Sequence, residues 1–190
     1  MFPWFKLAGA AAFAVVAAGC ATMQVSSHVQ RDVDFGRYRT YDWGPADALP
    51  TGDPRLDNNP FFKDHLQGAV EKELAARGLK LSSDRPVDLL IHYHASVTQR
   101  LDVNRIDRRY GYCYGDDCNV RVTEYEAGTI VLDVVDARTD RLVWRGWARD
   151  GIDGVIDNQQ RMERMINQAV TGMMALLPRA ALTRTPGRAQ

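Results

Sequence analysis

His92 and His94 stand two residues apart in a stretch, Val87 to Val97, that alternates apolar and polar residues. Side chains alternate faces along a strand, so both imidazoles project from one side. That spacing suits two ligands of one metal ion, with Asp88 or Asp133 as a third if it shares the face. A metal-dependent hydrolase is the chemistry such a trio would support. The simpler reading is a polar sheet face carrying two ordinary histidines, so no metal is assigned and no cofactor is expected. Nucleophilic catalysis has less support. No G-x-S-x-G is present, and Ser96 near His94 is adjacency in sequence, not a triad. No enzymatic activity is expected.

A second group is richer in recognition chemistry. Arg108, Arg109, Tyr110, Tyr112 and Tyr114 fall together in a polar, Tyr- and Gly-rich connection running from Arg100 to Asn119. Arg and Tyr are enriched at binding hot spots, which makes these five candidate partner-binding residues. A solvated hairpin tip would have the same composition. Cys113 and Cys118 bracket part of the segment. They can be a small-loop disulfide, two free thiols or part of a metal site. An exported chain favours the disulfide.

Export is indicated by the N-terminus. Lys6 precedes an apolar, Ala-rich run from Leu7 to Ala18. At ~1.5 Å per helical residue this run is too short to cross a ~30 Å hydrocarbon layer. It ends Ala17-Ala18-Gly19-Cys20, small residues followed directly by cysteine. This resembles the bacterial lipobox, although Ala17 stands where Leu is usual. The resemblance implies a signal peptide over 1–19, lipidation of Cys20 and a mature chain starting there. Residue 21 is Ala, which by similarity to the Gram-negative sorting rule implies the outer membrane, with the domain facing the periplasm. Several acyl chains, each buried CH₂ contributing ~0.8 kcal/mol, would make that anchor stable.

The rest of the chain must position these residues. Lys and Arg number 24, as do Asp and Glu, so the net charge is zero. That gives no electrostatic footprint for nucleic acid. Met23 to Val29 alternates and predicts a first strand, and Tyr38 to Trp43 a second. Gly44 to Asn58, with three prolines and no periodicity, predicts a loop. Asn59-Pro60 predicts a helix start, and Phe62, Leu66, Ala69, Val70 and Leu74 its apolar stripe. Gly78 predicts its left-handed end. In the strand Val87 to Val97, the residues Leu89, Ile91, Tyr93, Ala95 and Val97 form the core face. Gly128 to Ala148 reads as a β-hairpin turning at Ala137–Asp140, with Asp133 opposite or diagonal to Arg145. In it, Ile130, Leu132, Val134, Leu142 and Trp144 share a face, while Gly146 and Ala148 leave room for a helix. Asp157 with Gln160 predicts a capping box for a second helix. The apolar face of that helix holds Met162, Met165, Ile166, Ala169, Val170, Met173 and Leu177.

The predicted order is β-β-α-β-β-β-α. This is an α+β fold with a mainly antiparallel sheet of about five strands and two helices packed on one face. One domain spans 20–178, and 179–190 predicts a disordered tail.

Several of these stretches occur together in a recognisable order. Asp34-Phe35-x-x-Tyr38-x-Thr40-Tyr41-x-Trp43 follows the Cys20 motif. Then come Gly78-Leu79, Val87 to His94, Gly128 to Asp136 and Leu142-Val143-Trp144-Arg145-Gly146. In this the chain resembles the domain-of-unknown-function 4136 family of bacterial envelope lipoproteins. The resemblance implies a lipid-anchored α+β domain and carries no established activity and no catalytic residues. A structural or binding role follows as the expectation: a membrane contact through the anchor, with an envelope protein or peptidoglycan as partner. A carrier of a small apolar ligand or lipid is the alternative that a sheet–helix cavity would support.

Overall fold

In a computed structural model, the residues described are 23–44, 53–57, 59–84, 86–103 and 122–178. Along them run β1 (Gln24–Val29), a 3₁₀ turn (Phe35–Arg37), β2 (Thr40–Trp43), α1 (Pro54–Asp57), α2 (Pro60–Ala76) and β3 (Lys80–Leu81). They are followed by β4 (Leu89–Val103), β5 (Val122–Asp136), β6 (Arg141–Gly151) and α3 (Gln159–Ala175). The strands form one six-stranded sheet in the order β1-β6-β5-β4-β2-β3. α2 and α3 pack on one face of it around a single core that includes Trp144, Leu132, Leu66, Val70 and Met173.

The sheet is mixed, not mainly antiparallel. β1–β6, β5–β6 and β4–β5 are antiparallel, but β2 runs parallel to both β4 and β3. The reason lies in the connection. The chain leaves β2, crosses through α2 and returns beside β2, and a helical crossover delivers the next strand parallel. β3 adds a sixth strand of only two residues, within what reads in sequence as the approach to a turn. α1 adds a third helix inside the predicted loop, where Asp53 accepts from the Arg55 amide at 2.8 Å.

The start of α2 is as expected: the Asn59 side chain accepts from the Phe62 amide at 3.2 Å. At its end Gly78 takes φ +81, with the Gly78 amide donating to Ala75 O and the Leu79 amide to Leu74 O. That is the paired bond pattern of a left-handed helix terminus. α3 begins one residue later than expected. Asn158, not Asp157, accepts from the Arg161 amide at 3.0 Å, so Gln160 closes no capping box. Met174 joins the buried face of α3.

Two features of the hairpin differ from the alternation pattern. A β-bulge between Val134 and Val135 pairs Val134 with Trp144 but Val135 with Leu142. The extra residue, Val143, turns into the core at 3 % exposure, and Leu142 leaves the apolar face. Gly146 makes room for Trp144, not for a helix. A Cβ there would lie 2.2 Å from the far edge of the indole. β4 also runs further than predicted, so Arg100 to Val103 is strand.

Candidate functional site

The sheet face away from the helices carries the predicted histidines. Pairing aligns His28 with Arg145, Arg145 with Asp133, and Asp133 with His92, one row across β1, β6, β5 and β4. Arg145 grips Asp133 with two bonds, Nε to Oδ1 and Nη2 to Oδ2, each 2.6 Å. The bonds to Asp133 hold the Arg145 guanidinium above its ordinary pKa. His94 Nε2 lies 3.7 Å from Asp133 Oδ2, beyond hydrogen-bonding distance. His92 packs over Gly44, where an added Cβ would be 2.1 Å from the ring. Asp88 is committed elsewhere, accepting from the Arg39 and Thr40 amides at 2.8 and 3.0 Å. Among the described residues no group of three His, Cys, Asp or Glu side chains is placed to hold a metal. The row is an ion-paired ladder, and the third ligand that a hydrolase would need is not among these carboxylates.

Sequence reasoning missed a second cluster, at the end of the sheet where the β5–β6 hairpin turns. Asp136 is 2 % exposed. Its Oδ2 accepts from the Tyr38 hydroxyl at 2.9 Å and from Arg37. Its Oδ1 accepts from the amides of Arg138 and Thr139 at 3.1 and 3.0 Å. Burial works to raise this carboxyl's pKa, but the Tyr38 hydroxyl and the turn amides outweigh it and hold it below the usual carboxylate range. The Arg37 guanidinium also stands over the Tyr38 ring, 4.9 Å from its centroid. Around this network lies an open groove of about 860 Å³, bordered by Arg37, Asp88, Asp136 and Arg138. A smaller recess of about 360 Å³ continues it past Arg31 and Arg141. Asp136 was legible only as a turn residue, and Tyr38 only as part of an aromatic strand. The signal that both belong to one site is their pairing across 98 residues, which no local pattern carries.

The space between sheet and helices is nearly filled. An apolar cavity of about 50 Å³ remains among Met23, Leu56, Ala95, Ile152, Met162 and Ile166. That is well below the 300–1,000 Å³ typical of ligand sites. The carrier reading finds no large apolar cavity here to support it.

Cys20, Cys113, Cys118, Arg108, Arg109, Tyr110, Tyr112 and Tyr114 lie outside the described residues, as do the segments 1–19 and 179–190. Among the described residues no helix is long and apolar enough to cross a membrane.

The fold and its sites thus define an α+β domain with one helix-covered and one polar sheet face. The chain belongs to the family described as domain of unknown function DUF4136, which it matches over residues 25–179. No curated protein matches it. Among solved structures it is similar to a PDZ domain protein from Parabacteroides distasonis, at 17% identity and TM-score 0.49. That match covers 80% of this chain and 35% of the other, so the chain spans about a third of that protein. It is also similar to a DUF4136 family protein from Bacteroides thetaiotaomicron, at 14% identity and TM-score 0.47, covering 78% and 94% of the two chains. A third similarity is to a protein described as a neuraminyllactose-binding hemagglutinin homolog from Helicobacter pylori, at 12% identity and TM-score 0.42, covering 75% and 87%.

Proposed function

We propose that this protein is a lipid-anchored component of the Gram-negative envelope, held at the outer membrane through Cys20, and that its role is binding, not catalysis. The observation that carries the reading is where β1 begins. Gln24 opens the strand four positions after Cys20, a tether of at most ~14 Å. Gln24 pairs with Arg149, which pairs with Thr129. On this reading the anchor keeps this level of the sheet within a tether's reach of the bilayer. Beyond it β4 and β5 continue as a two-stranded ribbon to the Val103–Val122 pair. At ~3.3 Å per residue the ribbon extends about 23 Å past the level of Gln24. In the sequence, the candidate contact residues Arg108 to Tyr114 fall between Val103 and Val122. The opposite end, with Asp136 and the hairpin turn, points into the periplasm.

The test is in-cell crosslinking from position 112, comparing the intact chain with Cys20→Ala. The reading expects crosslinks to an envelope component that diminish when the anchor is lost. Crosslinks of unchanged identity and yield in Cys20→Ala would contradict a role set by membrane placement.

A further inference from the structure

The hairpin-turn groove combines three properties that together specify a ligand. Its size, about 860 Å³, matches that of a small-molecule or peptide subsite. Its walls, with the adjoining recess, carry four arginines: Arg31, Arg37, Arg138 and Arg141. Its acidic residues are largely committed to the fold. All four acceptor positions of Asp136 are filled by Arg37, Tyr38 and two turn amides. Asp88 is spent on the β2 backbone at Arg39 and Thr40. Asp32, exposed beside Arg31, is the acidic side chain left on the rim.

The arginines are not equally committed. Arg37 uses one terminal nitrogen on Asp136 and Tyr38, and its side chain is still 46 % exposed. Arg31, Arg138 and Arg141 are exposed and form no side-chain hydrogen bond or ion pair among the described residues. A guanidinium offers five donors in a planar fork that matches a carboxylate with two parallel bonds. Arg37 is held in place by its bonds to Asp136 and Tyr38, which lowers the ordering cost of using its remaining donors. Pro86 and Leu90 add an apolar border to the same groove.

We infer that this groove is a binding site for a carboxylate-bearing peptide of the cell wall, a stem peptide of peptidoglycan, with Arg37, Arg138 and Arg141 as the carboxylate contacts. The choice of a wall peptide over a lipid phosphate follows from position. β1 runs from Gln24 at the anchor end to Val29 at the groove end, a separation of about 17–20 Å. On the anchor reading the groove therefore lies at the end of the sheet farther from the bilayer. In this orientation the inference rests on the lipid-anchor reading; the carboxylate chemistry does not.

The test uses the full mature chain in detergent and a purified disaccharide-tetrapeptide from peptidoglycan as probe, followed by calorimetry at low salt. Saturable binding is expected. It should weaken at least tenfold for Arg138→Ala/Arg141→Ala, and equally for the wild type when the probe's carboxylates are amidated. Both arginines are exposed, so the variant should keep the wild-type melting temperature, and a matching Arg37→Lys variant should weaken binding while keeping the charge. No saturable binding would overturn the inference, as would equal affinity for the amidated probe or for the double variant. Vesicles containing anionic phospholipid provide the competing source. Displacement of the probe by them, lost in the same variant, would make this a headgroup site and overturn the wall-peptide assignment. Because binding is measured on purified protein, its failure is separable from failure of the anchor reading, which the mass of residue 20 decides.

Discussion

The Tyr38 hydroxyl donates to Asp136 Oδ2 at 2.9 Å across 98 residues of chain. The bond fastens the 3₁₀ turn entering β2 to the hairpin turn leaving β5, and it is buried. Tyr38→Phe keeps the ring and removes only the donor. Asp136 retains Arg37 and the turn amides, so the expected loss is about 1–2 kcal/mol. Urea unfolding measures it, and an unchanged midpoint would mean the bond contributes nothing net.

Acid should weaken the fold through Asp136 and Asp88. The backbone amide of Arg39 is the main influence lowering the Asp88 carboxyl, followed by opposing burial and further bonds from Thr40. Both groups have folded pKa values below the unfolded carboxylate value of ~3.9. The folded state binds their protons less tightly than the unfolded state. Their stabilisation is therefore present above pH ~4 and lost as pH falls through the lower folded values. Melting temperature measured from pH 5 down to pH 2 should fall, and fall less steeply in Asp136→Asn. Parallel curves for the two proteins would remove Asp136 from the explanation.

Alkali should act through Tyr41. It is 1 % exposed, and burial, reinforced by Glu71, pushes its hydroxyl up to about 12. A raised folded pKa means stability that is complete below the unfolded value of ~10 and lost as pH rises towards 12. Tyr41→Phe should show a shallower decline in melting temperature between pH 10 and 12 than the wild type. An identical decline would show that Tyr41 ionises freely in the folded state.

Gly146 and Gly68 make a matched pair. Gly146→Ala sets a Cβ 2.2 Å from the buried Trp144 ring, an overpacking that costs about 1–3 kcal/mol. Gly68 is exposed in α2 with nothing within 4 Å of an added Cβ. Gly68→Ala should stabilise by roughly 0.5–1 kcal/mol through helix propensity. Thermal unfolding of both variants checks the signs, and a neutral Gly146→Ala would show that Trp144 can shift at little cost.

Local pattern carried much of this fold and little of its surface. The core faces of β4 and α2, the Asn59 and Gly78 helix ends and the Asp133–Arg145 pair follow from alternation, helical period and capping chemistry. Each is set by residues within a few positions of one another or by a hairpin register. The parallel placement of β2 was not legible, because a four-residue strand does not state its neighbour. The Val143 bulge was hidden because Leu142, Val143 and Trp144 are all apolar, and either register buries a reasonable set. Asp157 and Asn158 are both good cap residues, and the helix start chose between them. The Arg37–Tyr38–Asp136 cluster joins residues nearly a hundred positions apart. Its histidine counterpart, conspicuous in sequence, proved to be part of an ion-paired row.

The mass of the mature N-terminus decides whether Cys20 carries the lipid anchor. The full chain is expressed in a Gram-negative host, recovered from the outer membrane and analysed as its N-terminal proteolytic peptide. The expected product is a chain beginning at Cys20 and carrying diacylglyceryl and amide-linked acyl groups, with Cys20→Ala uncleaved and unmodified. An unmodified Cys20, or a mature chain starting at another residue, would contradict it.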